Sequence, residues 1–279
     1  MPEIRYRLVN VFAETPFGGN PLAVIEDGSM LSDVEMQLIA RQFNLSETTF
    51  LLPSSRAAAR IRIFTPTYEM AFAGHPTLGS AYVVSALLGV GESFALEMEA
   101  GVIPVHMQNG HWLLKANLPT YRPFEASVHE IAAMLSLPVE AISDEAMWVN
   151  CGTEQPMIPL VSAEYVQAAR PNPVLISKYS TNCNGQAKTY IFARTAQGFE
   201  SRYFWMTDST SISEDPGTGS ACANLGGWWL KTQGGETLHA EIRQGTLINR
   251  PNLLTLDVEN ENIQVGGQVI EIGAGVLRW

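Results

Sequence analysis

Basic side chains are scarce in this chain: 17 Lys and Arg stand against 28 Asp and Glu, a formal net charge of −11 over 279 residues. A protein that grips nucleic acid by neutralising phosphates needs a basic face, and no Lys/Arg cluster supplies one, so no nucleic-acid partner is expected. The same deficit argues against docking on anionic lipid. Long apolar runs are also missing. The most apolar segment, residues 78–90, falls short of the roughly 18 residues a membrane span requires and is interrupted by Gly and Ser. The N-terminal MPEIRYRLVNVF lacks the basic start, apolar stretch and small-residue cleavage site of a secretory signal. Cysteine is limited to Cys151, Cys183 and Cys222, an odd number without a CxxC pair, which suits a reducing compartment and a cytoplasmic location. The five histidines show no HExxH or other ligand spacing, and neither GxGxxG nor GxxxxGK[ST] occurs, so no metal and no nucleotide cofactor are expected. The absence of a GxSxG elbow argues against a serine hydrolase.

What the chain does contain is an internal repeat. AFAGHPTLGSA (71–81) placed above SEDPGTGSACA (213–223) aligns Pro76 with Pro216, an offset of 140 residues, or half the chain. His75 then faces Asp215, and Gly79, Ser80 and Ala81 face Gly219, Ser220 and Ala221. At the same offset Arg62 and Phe64 face Arg202 and Phe204, while Asn44, Thr49 and Phe50 face Asn184, Thr189 and Tyr190. One shared offset over about forty residues makes two unrelated Gly/Pro turns the poorer account.

Each half carries strands rich in Val, Ile, Phe and Thr, a capped helix, and a second helix that is apolar nearly all round, expected at 76–88 and 216–230. A helix without a polar face must be surrounded by protein. Ser32 with Glu35, and Ser127 with Glu130, form capping boxes, and Ser162 precedes a further helix start. The expected fold is α+β: two copies of one unit, each a mostly antiparallel sheet wrapped around its central apolar helix. The halves are placed at 1–120, joined by the last strand 270–279, and at 124–269, with the boundary in the proline-containing stretch 118–123.

Both Gly/Pro turns are read as helix starts whose free N–H groups, with the positive end of the helix dipole, attract an anion. Facing each other across the cleft between the halves, they would hold a small carboxylate or an enolate-like anion. Taken singly, such a turn is an ordinary cap; the matched titratable pair His75 and Asp215 carries the functional reading. Ser220 is placed to donate a hydrogen bond to a bound carboxylate. Glu47, at the entry to the strand TTFLL, has Ala187 as its counterpart. A loop glutamate is commonly just exposed, but delivery into the cleft would raise its pKa and suit it to moving a proton. Cys222 reads as a small buried hydrophobe.

VFAETPFGGNPLAVI, NLSETTFLLP, RIRIFTPTYEMAFAGHPTLGSA and EDPGTGSACA together resemble the phenazine-biosynthesis PhzF-like family, in order and across essentially the whole chain. The resemblance implies a diaminopimelate-epimerase-like fold of two pseudo-symmetric halves, each a mostly antiparallel β-barrel wrapped around its central helix, together with a homodimer, no cofactor, and a cofactor-independent isomerase acting on a small cyclic or conjugated carboxylic acid. It assigns Glu47 as the catalytic acid/base, with His75 and Asp215 beside it, and gives Gly74, Gly219 and Ser220 to substrate binding. Related epimerases of that fold carry two cysteines at the turn positions that are His75 and Asp215 here, which removes a two-thiol mechanism. Gly217 departs from the family pattern, where alanine or valine is usual, and is expected to loosen its turn. Amino-acid epimerase, hydrolase or lyase activity, or a non-catalytic binding role, are the alternatives.

Overall fold

The structure, a computed structural model, describes residues 2–143 and 145–279. The chain divides into two compact units, residues 1–115 with 266–279, and residues 116–265. The first holds β1 (Glu3–Val11), β2 (Asn20–Ile25), α1 (Asp33–Phe43), β3 (Glu47–Leu52), β4 (Ala59–Phe64), β5 (Glu69–Met70), α2 (Gly74–Leu88), β6 (Ser93–Met98), β7 (Gly101–Gln108) and β8 (His111–Lys115). The second holds β9 (Thr120–Pro123), α3 (Val128–Leu135), β10 (Met147–Asn150), β11 (Glu154–Pro159), α4 (Ala163–Ala168), α5 (Pro173–Tyr179), β12 (Lys188–Arg194), β13 (Gly198–Met206), β14 (Ile212–Asp215), α6 (Gly219–Thr232), β15 (Leu238–Gln244) and β16 (Asn252–Glu259). β17 (Asn262–Gly267) runs over the second boundary, and β18 (Val269–Arg278) returns to the first unit to pair antiparallel with β1. No helix among the described residues is long and apolar enough to cross a membrane.

The fold is α+β and dominated by sheet, and the repeat reappears as one ladder built twice. β2 lies parallel to β3 as β11 does to β12; β4 is antiparallel to β3 and β5 as β13 is to β12 and β14; β4 lies parallel to β6 as β13 does to β15. The parallel pairs modify the expectation of antiparallel sheet. A parallel neighbour needs a crossover, and the helices supply it: α1 between β2 and β3, α2 between β4 and β6, α6 between β13 and β15. The matched Arg and Phe residues play one part in both copies. Arg62 grips Glu69 through two bonds of 2.6 Å with its guanidinium 5.0 Å from the Phe64 ring centre, and Arg202 grips Glu214 at 3.0 and 2.7 Å with its guanidinium 4.7 Å from Phe204. Each bidentate pair ties the middle strand to the short strand that leads to the central helix.

Both capping boxes form: the Ser32 and Ser127 hydroxyls accept from the third-residue N–H, and Glu35 and Glu130 reach back. Ser162 stands at the cap of α4, where its side chain bonds to the Glu164 carboxylate and not to a backbone N–H of the helix. The central helices are the cores of their units. In α2, Leu78, Ala81 and Val84 are wholly buried against strands of the first unit, and in α6, Ala221, Cys222 and Leu225 are equally buried in the second.

Two boundaries differ from expectation. α2 starts at Gly74, so Pro76 is its third residue, where a missing N–H still costs nothing. α6 starts only at Gly219, because β14 stays extended and paired with β13 through Asp215, leaving Pro216 outside the helix. The stretch 118–123, expected to separate the halves, contributes β9, which pairs antiparallel with β10.

Candidate active site

Of the residues singled out, Glu47, Gly74 and His75 lie in the first unit and Asp215, Gly219 and Ser220 in the second. The crossover through α1 ends at Asn44, whose left-handed backbone (φ 52°) turns the chain so that Glu47 opens β3 directly beside Leu22 of β2. Gly74 and His75 are the first two residues of α2, which has no side-chain cap. Three element starts therefore converge, at Asn20-Pro21, Glu47 and Gly74.

There the Glu47 carboxylate stands 3.5 Å from Nε2 of His75, with side chains 15% and 7% exposed. Burial drives the His75 pKa down to about 3, opposed only by a hydrogen bond to the backbone of Pro21, so the imidazole is neutral at pH 7. Proline has no N–H, so the ring must donate to the Pro21 carbonyl. With Nε2 turned to Glu47, the donor is Nδ1, and Nε2 is left as a lone pair facing the carboxyl group. The FGGN turn delivers that carbonyl. Gly19 has φ +75°, and a Cβ there would come within 2.7 Å of both Ala13 Cβ and the Val11 carbonyl, so only glycine fits.

In the second unit Asp215 is the last residue of β14, not a helix-start residue, and the Thr218 hydroxyl donates to its carboxylate. Gln244 locks this turn: its Oε1 accepts from the Thr218 N–H at 3.2 Å, and its Nε2 donates to the Asp215 carbonyl at 2.8 Å and to the Thr218 hydroxyl at 3.0 Å. Gly219 is the first residue of α6, and the Ser220 hydroxyl accepts from Gln155 at 2.9 Å. Motif reading missed Gln244, Gln155 and the Pro21 carbonyl, because nothing in their own chemistry marks them in the sequence; their hydrogen bonds to the motif residues expose them.

The turn at Gly217 is tight where looseness was expected. A Cβ on Gly217 would meet Asn252 Oδ1 at 2.3 Å and its Cγ at 2.7 Å, and Asn252 is itself buried and tied to the Arg250 carbonyl at 2.8 Å. Asn252 fills the space a larger residue at 217 would take. Gly217→Ala is expected to lower stability by about 1–3 kcal/mol in urea denaturation, and Asn252→Ala introduced with it to cost less than the two changes added.

Cys222 is wholly buried and its pKa is pushed well up by desolvation, while Cys151 is pushed up to about 12 for the same reason. Neither thiol serves as an acid/base at neutral pH.

The sequence pattern of the phenazine biosynthesis-like protein family, PhzC-PhzF, matches residues 9–275. The chain belongs to this family. Among PhzC-PhzF relatives, an uncharacterized isomerase of Pasteurella multocida (strain Pm70) is 41% identical over 98% of this chain and 93% of its own. A trans-2,3-dihydro-3-hydroxyanthranilate isomerase of Pseudomonas chlororaphis is 32% identical over 98% of both. The crystal structure of a PhzF-family phenazine biosynthesis protein from Bacillus anthracis superposes with a TM-score of 0.89 over 100% of both chains at 24% identity. A hydroxyproline epimerase from Agrobacterium vitis, with TM-score 0.60 and 14% identity over 99% of this chain and 92% of its own, shares the fold.

Proposed function

We propose that this PhzC-PhzF protein is a cofactor-independent isomerase that moves a proton on a small cyclic or conjugated carboxylic acid, with Glu47 as the single acid/base. The observation that carries this reading is the Glu47–His75 pair: a carboxylate beside a neutral imidazole whose lone pair faces it, both largely withdrawn from water. The Glu47 carboxylate takes a proton as a substrate C–H bond breaks, and the electron pair enters the conjugated system. The acid then returns the proton to another carbon on the same face, leaving composition unchanged. His75 Nε2 accepts the acidic hydrogen of protonated Glu47 and orients it. Asp215 and Ser220 bind polar groups of the substrate, with backbone N–H groups near Gly74 and Gly219 assisting. The family resemblance supports a homodimer, and three unpaired thiols support a cytoplasmic location.

The isomerase names of the relatives point to trans-2,3-dihydro-3-hydroxyanthranilate as the substrate to try. In deuterium oxide, NMR of that compound with the enzyme and no added cofactor is expected to show an isomer, with deuterium at the receiving carbon in the fraction of turnovers in which the Glu47 acid hydrogen exchanges with solvent before delivery. A substrate unchanged in both structure and isotope content would overturn the reading for this compound, and the same outcome across cyclic carboxylates would overturn it altogether.

A further inference from the structure

Ser220 sits at the end of a hydrogen-bond chain whose direction is fixed by the backbone. Asn224, wholly buried in α6, accepts from the Cys151 N–H at 2.8 Å and donates to the Thr153 carbonyl at 2.8 Å. A backbone N–H can only donate and a carbonyl can only accept, so these two anchors decide which end of the Asn224 amide is oxygen and which is nitrogen. The same Asn224 nitrogen donates to Oε1 of Gln155 at 2.7 Å, which forces Nε2 of Gln155 toward Ser220, 2.9 Å away. Gln155 is 1% exposed. Each link donates to the next, and the Ser220 oxygen receives the last hydrogen.

We propose that Gln155 and Asn224 are positioning residues that hold Ser220 as a one-way donor toward an anionic group of the substrate. This rests on the reading that Ser220 binds substrate. A serine hydroxyl can donate and accept; with an acceptor site filled by Gln155, its own hydrogen is turned away from the amide and the chain polarises it for a carboxylate. Gln155 and Asn224 come from β11 and α6, so the chain also locks the start of α6 to the adjacent strand.

The test is a cycle of KM and kcat on the substrate of the D2O experiment, with Ser220→Ala, Gln155→Met and the double variant. Gln155→Met keeps the length but removes the donor. Expected are a KM rise of about 10-fold or more for Ser220→Ala and about 5-fold for Gln155→Met, each with kcat within two-fold, and a double variant no worse than Ser220→Ala alone. Should Gln155→Met fold poorly by near-UV circular dichroism, Asn224→Asp replaces it. That change keeps the acceptor for the Cys151 N–H, removes the donation to Gln155, and is expected to show the same KM-only effect, again absent behind Ser220→Ala. Ser220→Ala without effect on KM overturns the substrate-binding reading of Ser220 and the proposal with it. An effect of Ser220→Ala combined with independent, multiplicative effects at 155 overturns the positioning proposal alone.

Discussion

Glu47→Gln is expected to lower turnover by about 10³-fold while substrate affinity stays within a few-fold. General acid–base catalysis by one positioned group is worth on the order of 10²–10⁴, and here no second carboxylate follows Glu47 at the repeat position, which is Ala187. Glutamine has the size of glutamate and can bond to Nε2 of His75 through its amide hydrogen, so the pocket keeps its shape. What it cannot do is take a proton from carbon. The discriminating measurement is single-turnover isotope incorporation alongside equilibrium binding. Retention of more than about a tenth of the wild-type exchange rate would show that another group moves the proton, and His75 would be the next to replace.

The second large effect is on stability in acid. His75 is buried neutral, with a folded pKa of about 3 against an ordinary 6.5. Between those values the unfolded chain binds a proton that the folded chain refuses, so stability falls as the pH drops from about 6.5 toward 3 and is fully present above that window. One fully uncompensated proton costs about 1.4 kcal/mol per pH unit, a cumulative loss large against the total stability of a typical domain. Urea denaturation at pH 6.5, 5.5 and 4.5 is expected to show this slope in the wild type and a slope shallower by about one proton in His75→Gln. Equal slopes in the two proteins would mean that the imidazole is charged in the fold, with the Glu47 carboxylate as its counter-ion.

The fold was legible where one physical demand recurs at fixed spacing. Arg62 and Arg202, each followed two residues later by Phe, do the same thing in both units, and two helices with no polar face left no option but central burial. The capping boxes needed only four consecutive residues and both form. The start of α6 was not legible. The Gly/Pro turns look alike as strings, but β14 has four paired residues where β5 has two, and strand length is set by a partner distant in sequence. Asp215 therefore ends a strand, whereas His75, its match in the repeat, begins a helix.

The candidate site divides the same way. His75, Asp215 and Ser220 stood out because their chemistry is conspicuous beside glycines, and Glu47 because its match in the repeat is Ala187. Gln155, Asn224 and Gln244 did not, since a buried amide leaves no mark on the sequence until its partners are known. Gly217 was misread for a related reason: the residue that makes the turn tight, Asn252, is 35 positions away.

The pairing of β1 with β18 sets an order of events during synthesis. Glu3 pairs with Arg278 and Val11 with Val269, so β1 waits for β18 to be made. At roughly 5–20 residues per second that interval is on the order of 10–50 s. Residues 116–265 are contiguous and are all made within it, while β1 has β2 for one neighbour and an open edge on the other side. The half that carries Glu47 and His75 is thus completed only once β18 has been made, and a chain interrupted before β18 would present an exposed strand edge, the kind of surface that invites aggregation.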